Sequence, residues 1–317
     1  MPDASRRSIN PAVGDAARLR TPAPSGAYGG VNAAMAPSRA ALCAALDAIA
    51  PHRDAVTVAG AHAVFERTRD LDIAADATKD GDLALTPALV AEEPRLEAAM
   101  RGAGFRTLAE LEGEARQHDP GLRRRYEAQP GLWATGMASS GEPIGEVDLL
   151  VPTSIAGGGR RSAHALKSHG KQATRHTPGL ELVVLDRSLM KIENFVDGSI
   201  RDAWVAGYAG LLCAKAYKLG ERIRERDGNG RNRVRPKDAV DVWRLLAVSD
   251  GAAVRAKFDE HSDDERCGEA VRRGLRYLET IVGDGHIRTL ATADLAVFAP
   301  PDEVGDTIST WFRAFRA

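Results

Sequence analysis

The chain has 317 residues, with 43 Lys and Arg against 44 Asp and Glu, so its formal net charge of -1 excludes a generally basic, histone-like nucleic-acid binder. Its 44% apolar content is enough for a sizeable core and excludes wholesale disorder. At about 100–200 residues per domain, the length predicts two domains. No run approaches about eighteen consecutive apolar residues, Cys43, Cys213 and Cys267 form no CxxC pair, and the first residues hold no apolar stretch of signal-peptide type. A soluble cytoplasmic protein with no membrane partner is expected.

Residues 1–38 are rich in Ala, Pro, Ser, Gly and Arg and read as a flexible arm. Ser38 reads as the N-cap of a helix carrying Leu42, Ala45, Leu46 and Ile49 on one face, stopped at Pro51. AVTVAG (55–60) predicts a buried strand with a glycine turn, and the helix AHAVFERT follows. Asp80-Gly-Asp-Leu-Ala-Leu85 predicts a second strand, then a helix with Leu96, Ala99 and Met100 that ends at GAGF (102–105). After an Arg-rich stretch, Glu146-Val-Asp-Leu-Leu-Val151 predicts a strand and Gly157–Arg161 a flexible basic loop. LELVVLD (180–186) reads as a further buried strand with MKIENF (190–195) as its hairpin partner. From Asp202 the pattern turns helical: a long helix reaching about Arg226, a helix at 236–246 with Pro236 in its first turn, and two or three more. The expected fold is α+β, with a mixed domain at 39–198 and a helical domain at 199–317.

Carboxylates on strands carry the chemistry. Asp80 and Asp82 share one face by the two-residue strand period, with Gly81 between them, and Asp148 lies mid-strand among apolar neighbours. A buried ionised carboxylate is costly unless something pairs with it. Three converging carboxylates would make an oxygen-rich site for Mg²⁺, able to hold two ions about 3.5–4 Å apart for phosphoryl or nucleotidyl transfer. The plain alternative is a strand-edge turn. On the helices, Lys215, Lys218 and Arg222 share a broad face, and Lys237, Asp238 and Asp241 follow on the next helix. Either they form ion pairs between facing helices, or Lys215, in its apolar context, meets a phosphate. His164, His169 and His176 read as solvated loop residues. The cluster Arg160, Arg161, Lys167, Lys171 and Arg175 would hold an RNA backbone or simply keep a loop soluble. Trp204, Trp243 and Trp311 read as core residues of helices.

In order, the chain has a strand running into Gly60-Ala61-His62-Ala63, an Asp-x-Asp strand, a later strand Asp, a helical Lys-x6-Arg and a Lys-Asp-x-x-Asp helix. Over residues 55–246 this order resembles the nucleotidyltransferase superfamily, in particular the AbiEii-type toxins of type IV toxin–antitoxin systems. The resemblance implies a polymerase-β-like core, an NTP substrate, Mg²⁺ and nucleotide transfer to tRNA or another RNA, with a cognate antitoxin as a further partner. Matched position by position, Asp80, Asp82 and Asp148 would hold the metal. Gly60, Ala61, Lys215 and Lys218 would bind the nucleotide, with Asp80, Asp82, Lys215 and Asp238 catalytic and Asp238 orienting Lys215 or helping to activate the acceptor hydroxyl. The family often has Gly-Gly or Gly-Ser where this chain has Gly60-Ala61. Asp70-Leu-Asp72 is a competing Asp-x-Asp; 80/82 is preferred because a strand, a stop and a helix follow it. Two rival readings are a non-catalytic nucleotide- or partner-binding module of the same fold and a metal-dependent phosphohydrolase.

Overall fold

The computed structural model describes residues 29–71, 78–122, 126, 129–160, 163–224, 234–296 and 298–317. In chain order its first half contains α1 (Gly29–Ala48), β1 (Val56–Ala59), α2 (Gly60–Thr68), β2 (Asp80–Leu85), α3 (Leu96–Gly102), β3 (Arg106–Thr107), α4 (Leu108–His118), β4 (Leu132–Met137) and β5 (Pro143–Pro152). Then come β6 (Arg175–Thr177), α5 (Glu181–Leu185), β7 (Arg187–Glu193), β8 (Ile200–Ala206) and α6 (Tyr208–Arg224). The chain closes with α7 (Pro236–Val248), α8 (Gly251–Ser262), α9 (Gly268–Gly283), α10 (His286–Asp294) and α11 (Pro301–Arg316). The class is mixed α/β, as expected. None of the described helices is long and apolar enough to cross a membrane.

The strands form one mixed sheet in the order β3-β4-β5-β2-β1-β8-β7, with β6 also paired to β5. β2 and β5 run parallel, which sets Asp80 opposite Glu146 and Asp82 opposite Asp148. On the face away from these carboxylates lies α1. Gly81 lets it approach, since a Cβ there would lie 3.1 Å from the Leu42 side chain. One hydrophobic cluster runs from α1 and the central strands into α6–α11, while Leu108, Leu111 and Ala134 form a small satellite with Tyr126 and Leu132. Buried charge is paired: Arg39 meets Glu66 at 2.8 Å and lies 4.6 Å from the Phe195 ring centre. Arg244 of α7 donates to the Thr68 carbonyl and hydroxyl, pinning that helix to the end of α2.

Several elements differ from expectation. α1 begins at Gly29, so Ser38 lies inside a helix rather than capping one, and the 29–38 part of the expected arm is helical. Residues 180–186 hold the short helix α5, not a strand. The partner of β7 is β8, so the expected boundary at 198/199 falls within a hairpin turn, the sheet runs on to Ala206 and the helical half starts at Tyr208. Trp204 is therefore a strand residue, stacked with the Arg187 guanidinium at 4.6 Å, whereas Trp243 and Trp311 are helical and buried.

Glycines also let α6 and α9 approach closely, and a Cβ on Gly274 would overlap the Cys213 sulfur. Gly274→Ala is expected to cost about 1–3 kcal/mol by overpacking. Adding Cys213→Ala should recover part of that loss, because it removes the overlapping atom. Urea unfolding of the single and double variants measures both effects.

Candidate functional site

The β2–β5 register builds the site. Carboxylate oxygens of Asp80, Asp82 and Asp148 all lie within 4.8 Å of one another. This is the convergence expected from the sequence, and among the described residues it is the one such group suited to a metal ion. Asp72, of the competing pair, lies outside the described residues, and Asp70 sits just past the end of α2.

The crowding has an electrostatic signature. Burial, then repulsion from Asp80, pushes the Asp82 carboxyl up to about 6. Burial raises Asp148 well above the usual carboxylate range against the pull of Arg175. Burial, then Asp80, lifts Glu146 to about 7. Glu146 was not singled out in the sequence, although the parallel register makes it the direct neighbour of Asp80.

The surroundings fix these carboxylates in place. The Thr78 hydroxyl donates to Asp80 Oδ1 at 2.6 Å. The Ser38 hydroxyl donates to the Thr78 carbonyl at 2.8 Å, and His62 Nε2 lies 3.1 Å from Ser38 Oγ. His62 is fully buried, and burial, with Arg39 and Lys237 nearby, lowers its pKa strongly and so favours the neutral ring. Gly60 has φ +60, and a Cβ there would lie 2.7 Å from Asp82 Cγ. Only glycine can turn the chain this way so close to the carboxylate. Ala61 follows in the first turn of α2.

From α6, Lys218 and Lys215 both act on Asp82 electrostatically. Their pairing corrects the expected roles. Lys215 is buried and its ammonium engages Asp241, so Asp241, not Asp238, is the group that orients it. Burial alone would lower the Lys215 pKa, but Asp241 and Asp238 hold it above its ordinary value. Asp238 instead receives Lys218 at 2.9 Å and Arg222. At Asp238 burial opposes ionisation, yet Lys218, Lys215 and Arg222 override it and keep the carboxyl below its usual range. The Lys218 side chain is 47% exposed.

The basic segment divides. Arg160, Lys167 and Lys171 are exposed, whereas Arg175 turns inward and donates to Asp148 Oδ2 at 2.5 Å; Arg161 lies outside the described residues. His169 and His176 are buried rather than solvated, and His169 meets His52 edge-on at 5.7 Å. On the β4 side of the carboxylates a cavity of about 260 Å³ opens, lined by Asp80, Glu146 and Asp148 and by Leu108, Tyr126, Gln129 and Leu132. Gly60 follows β1, the neighbour of β2 away from β5, and lies beside Asp82.

The donor set suits a hard divalent cation: three carboxylates, all oxygen ligands, whose mutual repulsion a cation would relieve. The chain matches no family model, no curated protein and no solved structure.

Carboxyls with raised folded-state pKa values favour folding when protonated. That contribution is fully present at low pH and is lost as pH rises from about 4, the unfolded value, through the 6–7 reached by Asp82 and Glu146. Asp82→Asn should therefore raise the metal-free melting midpoint at pH 8 and leave it unchanged near pH 4. Thermal scans across pH in EDTA, compared with wild type, measure the difference. Equal midpoints at pH 8 would mean that Asp82 carries no repulsion.

Proposed function

We propose that this chain is a Mg²⁺-dependent nucleotidyltransferase with a polymerase-β-like core, which moves a nucleotide from an NTP to a tRNA or other RNA acceptor in the manner of a toxin paired with an antitoxin. The observation that carries the reading is the convergence of Asp80, Asp82 and Asp148 within 4.8 Å on adjacent strands, beside a glycine-opened helix start and the α6 lysines. The resemblance in motif order supplies the NTP, the RNA acceptor and the antitoxin.

In this reading Asp80, Asp82 and Asp148 hold the ion, which when bound lowers the negative charge that resists attack on the α-phosphorus. Thr78 fixes the Asp80 rotamer, so one coordinating oxygen is aimed before substrate arrives. Gly60 leaves the backbone close to the triad, where a Cβ would collide with Asp82. Lys218, half-exposed, reaches the triphosphate and meets the charge that builds on departing pyrophosphate. Lys215, held by Asp241, supplies a fixed positive potential from behind. The cavity beside Glu146 and Leu132 takes the acceptor hydroxyl.

Incubation with each radiolabelled NTP, Mg²⁺ and total RNA should label RNA and release pyrophosphate, with Asp82→Asn inactive. Binding without turnover would instead make the chain a nucleotide-binding module, and release of inorganic phosphate a phosphohydrolase. The two lysines should separate. Lys218→Ala should raise the KM for NTP several-fold with an unchanged melting midpoint. Lys215→Ala strands Asp241 in a buried position and should cost about 3–5 kcal/mol in urea unfolding. If Lys218→Ala leaves KM unchanged, Lys218 does not contact the triphosphate.

A further inference from the structure

We infer that Arg175 takes the place of a second metal ion, so that the carboxylate cluster accepts one divalent cation and not two. The inference rests on the metal site proposed above and concerns its stoichiometry.

Strand β6 is three residues long and pairs in parallel with β5, setting Arg175 beside Leu150. From there the guanidinium reaches Asp148, and Nη2 donates to Oδ2 at 2.5 Å. Arg175 makes no other ion pair among the described residues. The pair is largely withdrawn from solvent, with 18% of the arginine and 14% of the aspartate side chain exposed. Gly131 keeps the path clear: its φ is +74, and a Cβ there would lie 2.9 Å from the Arg175 backbone nitrogen and 3.2 Å from Cγ. The nearest atom to that Cβ is the Leu149 carbonyl oxygen at 2.6 Å, so Gly131 lets this turn lie against both β5 and Arg175.

A pair of ions about 3.5–4 Å apart shares its carboxylates as bridges and so draws on their oxygens fully. Here one oxygen of Asp148 already accepts from the Arg175 guanidinium, a positive group where a second ion would bind. The guanidinium is a cation held at that oxygen, and it repels a second cation at the same carboxylate.

Mn²⁺ titration of the full chain without nucleotide, with free Mn²⁺ read by EPR, tests this. One ion per wild-type chain is expected, two per Arg175→Met chain, and one per Arg175→Lys chain, which keeps the charge. Circular dichroism and melting midpoints confirm that each variant is folded. Two ions of similar affinity in the wild type would overturn the inference without recourse to any variant. So would a folded Arg175→Met chain that still binds one. A wild type that binds no Mn²⁺ would overturn the metal site itself and this inference with it.

Discussion

The repulsion among carboxylates across the β2–β5 pair is the constraint around which the rest of the site is arranged. Parallel pairing sets Asp82 opposite Asp148 and Asp80 opposite Glu146, and residues directly opposite on one face are close neighbours whose like charges are destabilising. Nothing in a sheet tolerates that without help. The help comes from every direction: Arg175 from β6, Lys215 and Lys218 from α6, and the Thr78 hydroxyl from the chain leading into β2. The surrounding strands and α1 bury enough apolar surface to keep the register fixed despite the strain, since a one-residue slip would turn every side chain to the other face.

The helical half is part of this arrangement. Lys215 and Lys218 reach the site from α6, but their charges are anchored by Asp241 and Asp238 on α7. Arg244 in turn ties α7 to the last turn of α2, the helix whose first residue is Gly60. A displacement of α7 would therefore reach the carboxylates by two routes, through the lysines and through α2. Buried ion pairs are weak as net stabilisers but costly to break, which makes them suited to holding two layers in one relation.

Much of this was legible in the sequence because it depends on local period. Asp80 and Asp82 share a face by strand geometry alone, Asp148 stands out among apolar neighbours, and Pro236 marks the start of α7. The failures have physical causes. LVVL in α5 is a short apolar run, which periodicity cannot assign between strand and buried helix. Glu181, buried there, accepts from the Gly179 amide at 2.8 Å and the Ser154 hydroxyl at 2.9 Å, contacts that no local pattern announces. The strand β8 was hidden by continuity, since AWVA joins the apolar pattern of α6 without a break until Gly207. The choice between Asp238 and Asp241 as partner of Lys215 turns on how two helices are rotated against each other, which spacing leaves open. Arg175 looked like one more member of a basic loop, and only its pairing with β5 turns it toward Asp148.

The charge of the whole chain, -1, conceals how local the electrostatics are. The positive groups at the site are already engaged, so in the proposed reading a triphosphate would have to compete for them at contact. Lys215, enclosed with Asp241, cannot leave its partner without stranding it, whereas Lys218, half-exposed, shares Asp238 with Arg222 and can turn to a phosphate while that carboxylate stays compensated. In the proposed reading a triphosphate would approach the negative charge of the carboxylates, and a divalent cation held at the triad would lower that repulsion, so nucleotide and cation binding would be coupled by Coulomb's law.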